Sequence, residues 1–451
     1  MRSALSKPLH PVAGAPMLVH VLRATAAADP VGTVLVVQQG ATDLPARLGL
    51  DPSVVAFVQE PPLGTGDALR RALPVIADVD ILLVVFADHP LLDGETVRRL
   101  RDTAASSGAL VTVLAVPVDG GGYGRLEVDG EGRLQRIVER TDDDPEKRAG
   151  PFMANSGMMA LDARWARSAV PRLSQSAATG EFYLTELVEL AIQDRSGGAD
   201  SWPVAVVDGH PGIALGVNDR VELAAADASM RQAIRERLMR SGVTMVGPET
   251  VFVDADVEIG PDTTLLPFSI VSGPTTIGRG CTIGPNAVVR RSILGDRVRV
   301  ESSTVEGCSI GDDSDVGPYS HLRSGTVVGP RVHIGNFAEI KNGRLETGVK
   351  VGHVAYLGDC LLGAGTNIGA GTITANYDGE RKHRTEIGPG AFIGSDTILR
   401  APLRIGAGAR TGAGSVVTRD VAAGATVVGV PARQIRSGPA PAVSAAAEEE
   451  E

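Results

Sequence analysis

Arg323 and Lys341 are the residues whose spacing says most about chemistry. Each follows an apolar residue, Leu322 and Ile340, in a run where apolar positions recur every sixth residue without a break: Val316, Leu322, Val328, Ile334, Ile340. If three such units close one coil of a repeating structure, the two cations stack about 4.8 Å apart in backbone terms. Isolated like charges avoid that arrangement, and a bound phosphate relieves it; the bland alternative, both side chains splaying into water, stays open on the pair alone. Past Ile340 the step to Val351 shortens to eleven, which sets Leu357 over Ile340 and Tyr356 over Glu339. A phenol and a carboxylate join the patch. His353 lies in the same segment, VGHVAYLGD, and a neutral imidazole titrating near physiological pH suits removal of a proton from an amine or alcohol. Glu339, one coil away, is a candidate to orient it.

Between Ile373 and Ile387 the sixes are interrupted by a polar excursion, TANYDGERKHRT, whose Asn376, Tyr377, Lys382 and Arg384 suit a sugar, an amide or a phosphate. In the other half of the chain, Asp88 follows the apolar run Ile81–Phe86. That places it at the carboxyl end of a strand, where open α/β sheets bind ligands and a carboxylate suits a hard cation bridging phosphates. Its bland alternative is a turn residue. For Asn218, just before a helix-like stretch, a helix N-cap is as good a reading as a ligand.

These groups need two kinds of scaffold. Up to about residue 217, runs such as Val34–Val37, Val54–Val58 and Leu110–Val116 alternate with helix-like segments such as Asp67–Leu73 and Thr96–Ser106, which predicts a mostly parallel α/β sheet. Residues 218–242, rich in Ala, Arg, Glu and Met and ending at Gly242, read as a linking helix. Over 243–436 glycine thickens and the sixes predict a parallel β-helix in which each unit makes one short strand and one corner. Residues 437–451, ending in EEEE, read as a disordered solubilising tail.

Composition narrows the function classes. Lys and Arg total 43 against 54 Asp and Glu among 451 residues, a net charge of −11, which argues against a general nucleic-acid or anionic-membrane binder. The chain has no apolar run able to span a bilayer and no secretory leader, so a soluble, cytoplasmic protein is expected. Cys281, Cys308 and Cys360 lie far apart without pairing, so they read as small buried residues and not as a disulfide or zinc framework.

The motifs HLRSG (321–325), GNFAEIKNGRL (335–345), GHVAYLGD (352–359), NIGAGTITANYDG (367–379) and GSDT (394–397) resemble the bacterial bifunctional N-acetylglucosamine-1-phosphate uridylyltransferase and glucosamine-1-phosphate N-acetyltransferase family. In the first half, SKPLHPVAGAPM, PLGTGDA, GYGRL, IVER, NSG and GVNDRV extend the resemblance to nearly the whole chain before the tail. The resemblance implies an N-terminal Rossmann-like nucleotidyltransferase domain and a C-terminal left-handed parallel β-helix that forms a homotrimer with acetyl-CoA between subunits. By matching positions, His353 is implied as the general base acting on the amine of glucosamine 1-phosphate. Arg323, Lys341 and Tyr356 are implied to hold the sugar phosphate, and Asn367 and Asn376 the sugar. Ala370, Asn376, Tyr377, Ser395 and Ala413 are implied to contact acetyl-CoA, with Ser395 and nearby amides as donors to the thioester oxyanion. In the first domain it assigns Lys7 to phosphate, Gln59, Gly64 and Thr65 to uracil, Gly124, Glu139 and Asn155 to sugar, and Asp88 with Asn218 to Mg²⁺. The product of both activities is UDP-N-acetylglucosamine, a cell-wall peptidoglycan precursor.

The sequence also departs from the family pattern. Gly429 stands where an arginine commonly precedes Val-Pro, leaving Arg433 as the substitute contact to coenzyme A, and Ala87 replaces the usual glycine before Asp88. The family opens with L-A-A-G-x-G-T-R-M, and this sequence begins at the final Met of that pattern. Without those phosphate-cradling amides, little or no uridylyl transfer from UTP is expected. Two further readings remain: a sugar-1-phosphate nucleotidyltransferase whose β-helix only oligomerises, and a β-helix serving as scaffold alone.

Overall fold

The computed structural model describes residues 1–139, 143–148, 150–177, 179–195 and 202–436; the expected tail, 437–451, lies outside them. The chain divides into two compact units, Met1–Ser229 and Met230–Glu451. The break falls within the helix Arg220–Arg240, inside the expected linking segment. Among the described residues no helix is long and apolar enough to cross a membrane.

The first unit is built on the strand Pro151–Asp162, which pairs antiparallel with Ile81–Val84 and with Val111–Asp119. Arg125–Val128 and Leu134–Val138 add an antiparallel hairpin, and Val204–Asp208 pairs parallel with Val111–Asp119. Thr33–Val37 and Val54–Val58 form a separate parallel pair. The expected mostly parallel sheet is thereby corrected to a mixed one. A buried apolar run such as Val111–Val116 looks the same whichever way its neighbour runs, so the sequence pattern carried no direction. Helix Gly94–Ser107 starts where Asp93 accepts a 2.8 Å hydrogen bond from the Thr96 amide and stops at Gly108, whose φ is 67°. Its Val97 and Leu100 are buried against Leu114, Met158 and Ala160 of the sheet.

The second unit is a parallel β-helix, with Leu322 registered on Ile340 and Ile340 on Leu357. These inward residues, with Leu399 above them, are fully buried, and two further columns, including Ile334, Val351 and Ile393 on one face and Leu345, Leu362 and Ile387 on another, fill the interior. Stacked aliphatic columns are the main stabilising term: each fully buried Leu or Ile contributes about 1.5–3 kcal/mol. One inward slot departs from the apolar reading. Ile373 faces outward, 41% exposed, and the buried residue is Thr374. Thr374 fits because its Oγ1 donates to the Gly358 carbonyl at 3.1 Å and accepts from the Gly358 amide at 2.7 Å, so no polar atom is left bare. All three cysteines are buried and unpaired; burial pushes the Cys308 thiol up to about 11 and Cys360 up to about 12, which makes them inert filling.

Candidate active site

The strand register places Arg323 beside Lys341 and Glu339 beside Tyr356, as the step counts predict. The next position in the cation column is Gly358. A Cβ there would lie 2.6 Å from Asn376 Nδ2 and 2.8 Å from the Tyr356 hydroxyl, so glycine leaves the space into which both groups fold. Glu339 does not orient His353: its Oε1 accepts a 2.8 Å hydrogen bond from Arg323 Nη1. The polar excursion is a stapled hairpin. Tyr377 pairs with Lys382, Asp378 Oδ1 accepts from the amides of Glu380 and Arg381, and Asp378 Oδ2 lies 2.6 Å from His383 Nε2. The fold returns Lys382 to Lys341. Contact with Lys382, followed by the charges of Lys382 and Arg323, holds the Lys341 ammonium below the ordinary lysine value. Three cations therefore crowd one corner of the coil, beside a cleft of about 300 Å³ lined by Asn342, Arg344, Asp359, Lys382 and Arg384. Lys382 was the member of this group that the family motifs did not single out; its signal was the interruption of the sixes.

His353 is exposed and registers on Asn336, at the corner where Phe337 and Val354 take φ of 58° and 25°. Val351 registers on Ile368 and Ile368 on Ile393, which carries Ala370 and then Ser395 above His353 along one edge. The corner amides follow the same stacking: Gly371 donates to the Val354 carbonyl, Asp396 to Ala370 and Gly414 to Ser395 at 2.6, 2.6 and 2.8 Å. Ala413 is the next step. His353, Ala370, Ser395 and Ala413 thus form a line about 4.8 Å per coil, open to solvent and suited to a long thin ligand. Arg433, near the end of this unit, is exposed, and its Nη1 donates to the neighbouring Ala432 carbonyl. Asn367 registers on Lys350 and Phe392, on the face leading into that edge. Tyr377 is 61% exposed with its hydroxyl on the Gly379 carbonyl. Within the chain the imidazole and the cation column stand at opposite ends of one face, five residues or at most roughly 16 Å apart along the strand. The edge beside His353 is also apolar: Tyr319 and Phe337 stack at 5.5 Å and, with Val354, remain more than half exposed.

The first unit brings its expected residues together in three groups. Lys7 Nζ donates to Asp88 Oδ2 at 2.6 Å and to Asn218 Oδ1 at 2.7 Å. Asn218 is not the helix cap; Asp219 Oδ1 takes that part by accepting from the amides of Val221 and Glu222. A carboxylate and an amide oxygen converging on one ammonium are a donor set that fits a hard cation such as Mg²⁺. Gln59 Nε2 donates to the Gly64 carbonyl and to Asp67 Oδ2, at 3.1 and 3.0 Å, while Thr65 opens the next helix. Gly64, at φ 95°, lies where a Cβ would meet the Phe182 carbonyl at 2.7 Å. The Asn155 amide donates to the Gly124 carbonyl at 2.8 Å, and a Cβ on Gly124 would sit 3.5 Å from Glu139 Oε2.

Residues 1–240 match the family model of the MobA-like NTP transferase domain, and residues 247–336 that of the GMPPB C-terminal domain. The chain is 42% identical to the bifunctional protein GlmU of Trichlorobacter lovleyi, over 93% of this chain and 91% of the relative. The chain belongs to the GlmU family. Bifunctional GlmU proteins of Syntrophomonas wolfei and Heliobacterium modesticaldum are 40% and 41% identical, covering 93% and 95% of this chain and 92% of each relative. The repeat unit is accordingly a left-handed β-helix, and the chain is a transferase. Acetyl transfer from acetyl-CoA to glucosamine 1-phosphate belongs to the repeat unit, and the first unit is an NTP transferase domain.

Proposed function

We propose that His353 is the base and the Arg323, Lys341 and Lys382 corner the phosphate grip of this acetyl transfer. The supporting observation is that corner: three cations held together, with Glu339 and Asp359 as anions beside them. A sugar phosphate relieves their repulsion, and Tyr356 and Asn376 converge beside it. His353 takes the proton that the sugar's neutral amine gives up as its nitrogen bonds to the thioester carbonyl carbon, and the carbon–sulfur bond breaks. The proton held by the imidazole passes to the departing thiolate. The line Ala370, Ser395, Ala413 holds the acyl carrier along the edge, and a hydroxyl such as that of Ser395 or nearby amides serve the oxyanion. Because base and phosphate grip stand at two ends of one face, the complete site needs the edge of a second copy against the corner of the first. A homotrimer, with the exposed Tyr319 and Phe337 edge buried between copies, satisfies that need.

The test is His353→Ala, followed by CoA release from acetyl-CoA and glucosamine 1-phosphate. Turnover is expected to fall roughly 10²- to 10⁴-fold with the oligomer intact; unchanged turnover rejects the assignment. For the first unit, the convergence of Lys7, Asp88 and Asn218 supports uridylyl transfer from UTP, with Mg²⁺ held by Asp88 and Asn218. The expectation of little or no such activity is decided by Mg²⁺- and UTP-dependent pyrophosphate release.

A further inference from the structure

Asp359 sits at the corner one step past the cation column, at φ 50°, and its carboxylate is used on both sides. Oδ1 accepts a 2.7 Å hydrogen bond from Asn342 Nδ2 in the coil below, and Oδ2 a 2.6 Å bond from Asn376 Nδ2 in the coil above. An ionised carboxylate only accepts, so it settles which end of each amide faces it. Asn376 is 6% exposed, and its Oδ1 accepts no hydrogen bond among the described residues. A buried amide with its nitrogen committed and its oxygen free is a group aimed at something outside the protein. Asp359 also stands close enough to Lys341 to favour its charged form, against Lys382 and Arg323.

We propose that Asp359 is a positioning residue that fixes the amide of Asn376 with its carbonyl oxygen toward the aminosugar, so that the site accepts a hydrogen there and does not offer one. This rests on the reading above, in which Asn376 contacts the sugar. It follows that the site favours a ligand with a donor at that position, an amine or hydroxyl, over one with only an acceptor.

Asp359→Ala releases the amide and is expected to raise KM for glucosamine 1-phosphate at least tenfold, the scale of one hydrogen bond to a charged group, while kcat changes less than threefold and acetyl-CoA affinity holds. Two double variants keep every hydrogen bond and reverse or retain the amide. In Asn342→Lys/Asp359→Asn, the ammonium can only donate, so the new amide at position 359 gives it Oδ1 and turns Nδ2 to Asn376, whose oxygen is then consumed; KM should rise as in Asp359→Ala despite the added positive charge. In Asn342→Asp/Asp359→Asn, the new carboxylate takes Nδ2 and leaves Oδ1 for Asn376; KM should stay within threefold of the unmodified chain. If Asp359→Ala does not fold, the two double variants decide. Equal KM values in both overturn the proposal while leaving the acetyltransferase reading in place. Absence of CoA release by the unmodified chain overturns both.

Discussion

Arg323 donates a 2.8 Å hydrogen bond to Glu339 across the same coil step that stacks it on Lys341. The carboxylate therefore quiets one cation of the corner, and an incoming phosphate must compete with it. Both partners are about 40% exposed, so the pair contributes only roughly 0.2–1 kcal/mol. Glu339→Gln is expected to tighten binding of glucosamine 1-phosphate by up to about fivefold, with the gain shrinking as salt is raised. Calorimetric titration at two ionic strengths checks this; weaker binding by the variant would mean that Glu339 holds Arg323 in place for the ligand.

The same coil depends on a close approach of backbones beneath His353. A Cβ on Gly335 would overlap the Gly352 carbonyl oxygen, an approach no side chain tolerates. Gly335→Ala must push apart the coils that carry Asn336 and His353. A loss of about 1–3 kcal/mol of stability is expected, with turnover falling in the folded fraction because the base is displaced. Denaturant unfolding together with CoA-release rates on the soluble protein tests it, and a variant as stable and active as the parent would refute this account of the coil spacing.

Register was legible because apolar residues every sixth position fix both coil length and phase, so Arg323 could be placed on Lys341 and Tyr356 on Glu339 by counting alone. That arithmetic did not line up Ala370, Ser395 and Ala413 on His353: the family motifs implied those residues, and the strand register stacks them. What it could not show was a hydrophilic residue in an inward slot: Thr374 replaces an aliphatic one because the Gly358 backbone satisfies its hydroxyl. Lys382 was already a candidate from its loop, but its place beside Lys341 was hidden for another reason. Its approach to Lys341 depends on the Asp378 staple, a set of local hydrogen bonds that carries no period. Strand direction in the first unit was equally illegible, since the antiparallel runs Val111–Val116 and Met158–Leu161 are buried on both faces.

A pH dependence follows from His210 and Asp93, whose Nε2 and Oδ2 are 3.4 Å apart. The contact in which His210 donates to Asp93 holds the Asp93 carboxyl well below the usual range, and the same contact raises the imidazole. The raised imidazole contributes stability that is fully present below the unfolded value near 6.5 and is lost as pH rises through the folded value; the depressed carboxyl contributes above about 3.9 and loses it in acid. Both groups are about half exposed, so roughly 0.2–1 kcal/mol is at stake. The melting temperature of the parent should exceed that of His210→Ala by roughly 1–3 °C near pH 5.5 and by less near pH 8.5. A difference that grows with pH would contradict the assigned sign.

Lys7 occupies the place where a divalent cation would be held, with its ammonium 2.6 Å from Asp88 and 2.7 Å from Asn218. An ammonium and a metal ion cannot share those two oxygens. Cation binding therefore has to displace Lys7, at the cost of an ion pair whose side chains are 34% and 27% exposed. Lys7→Met removes the competitor and leaves the Asp88 carboxylate unpaired, so Mn²⁺ should bind the nucleotide-free protein more tightly, by about threefold to tenfold. With UTP present the sign should reverse, because the displaced ammonium is then free to meet a phosphate and its loss weakens the ternary complex. Asp88→Asn should weaken Mn²⁺ binding in either background. Electron paramagnetic resonance of free Mn²⁺, with and without UTP, separates these outcomes without depending on turnover. Tighter binding in neither condition would show that Lys7 is no rival to the metal and that Asp88 reaches it by another approach.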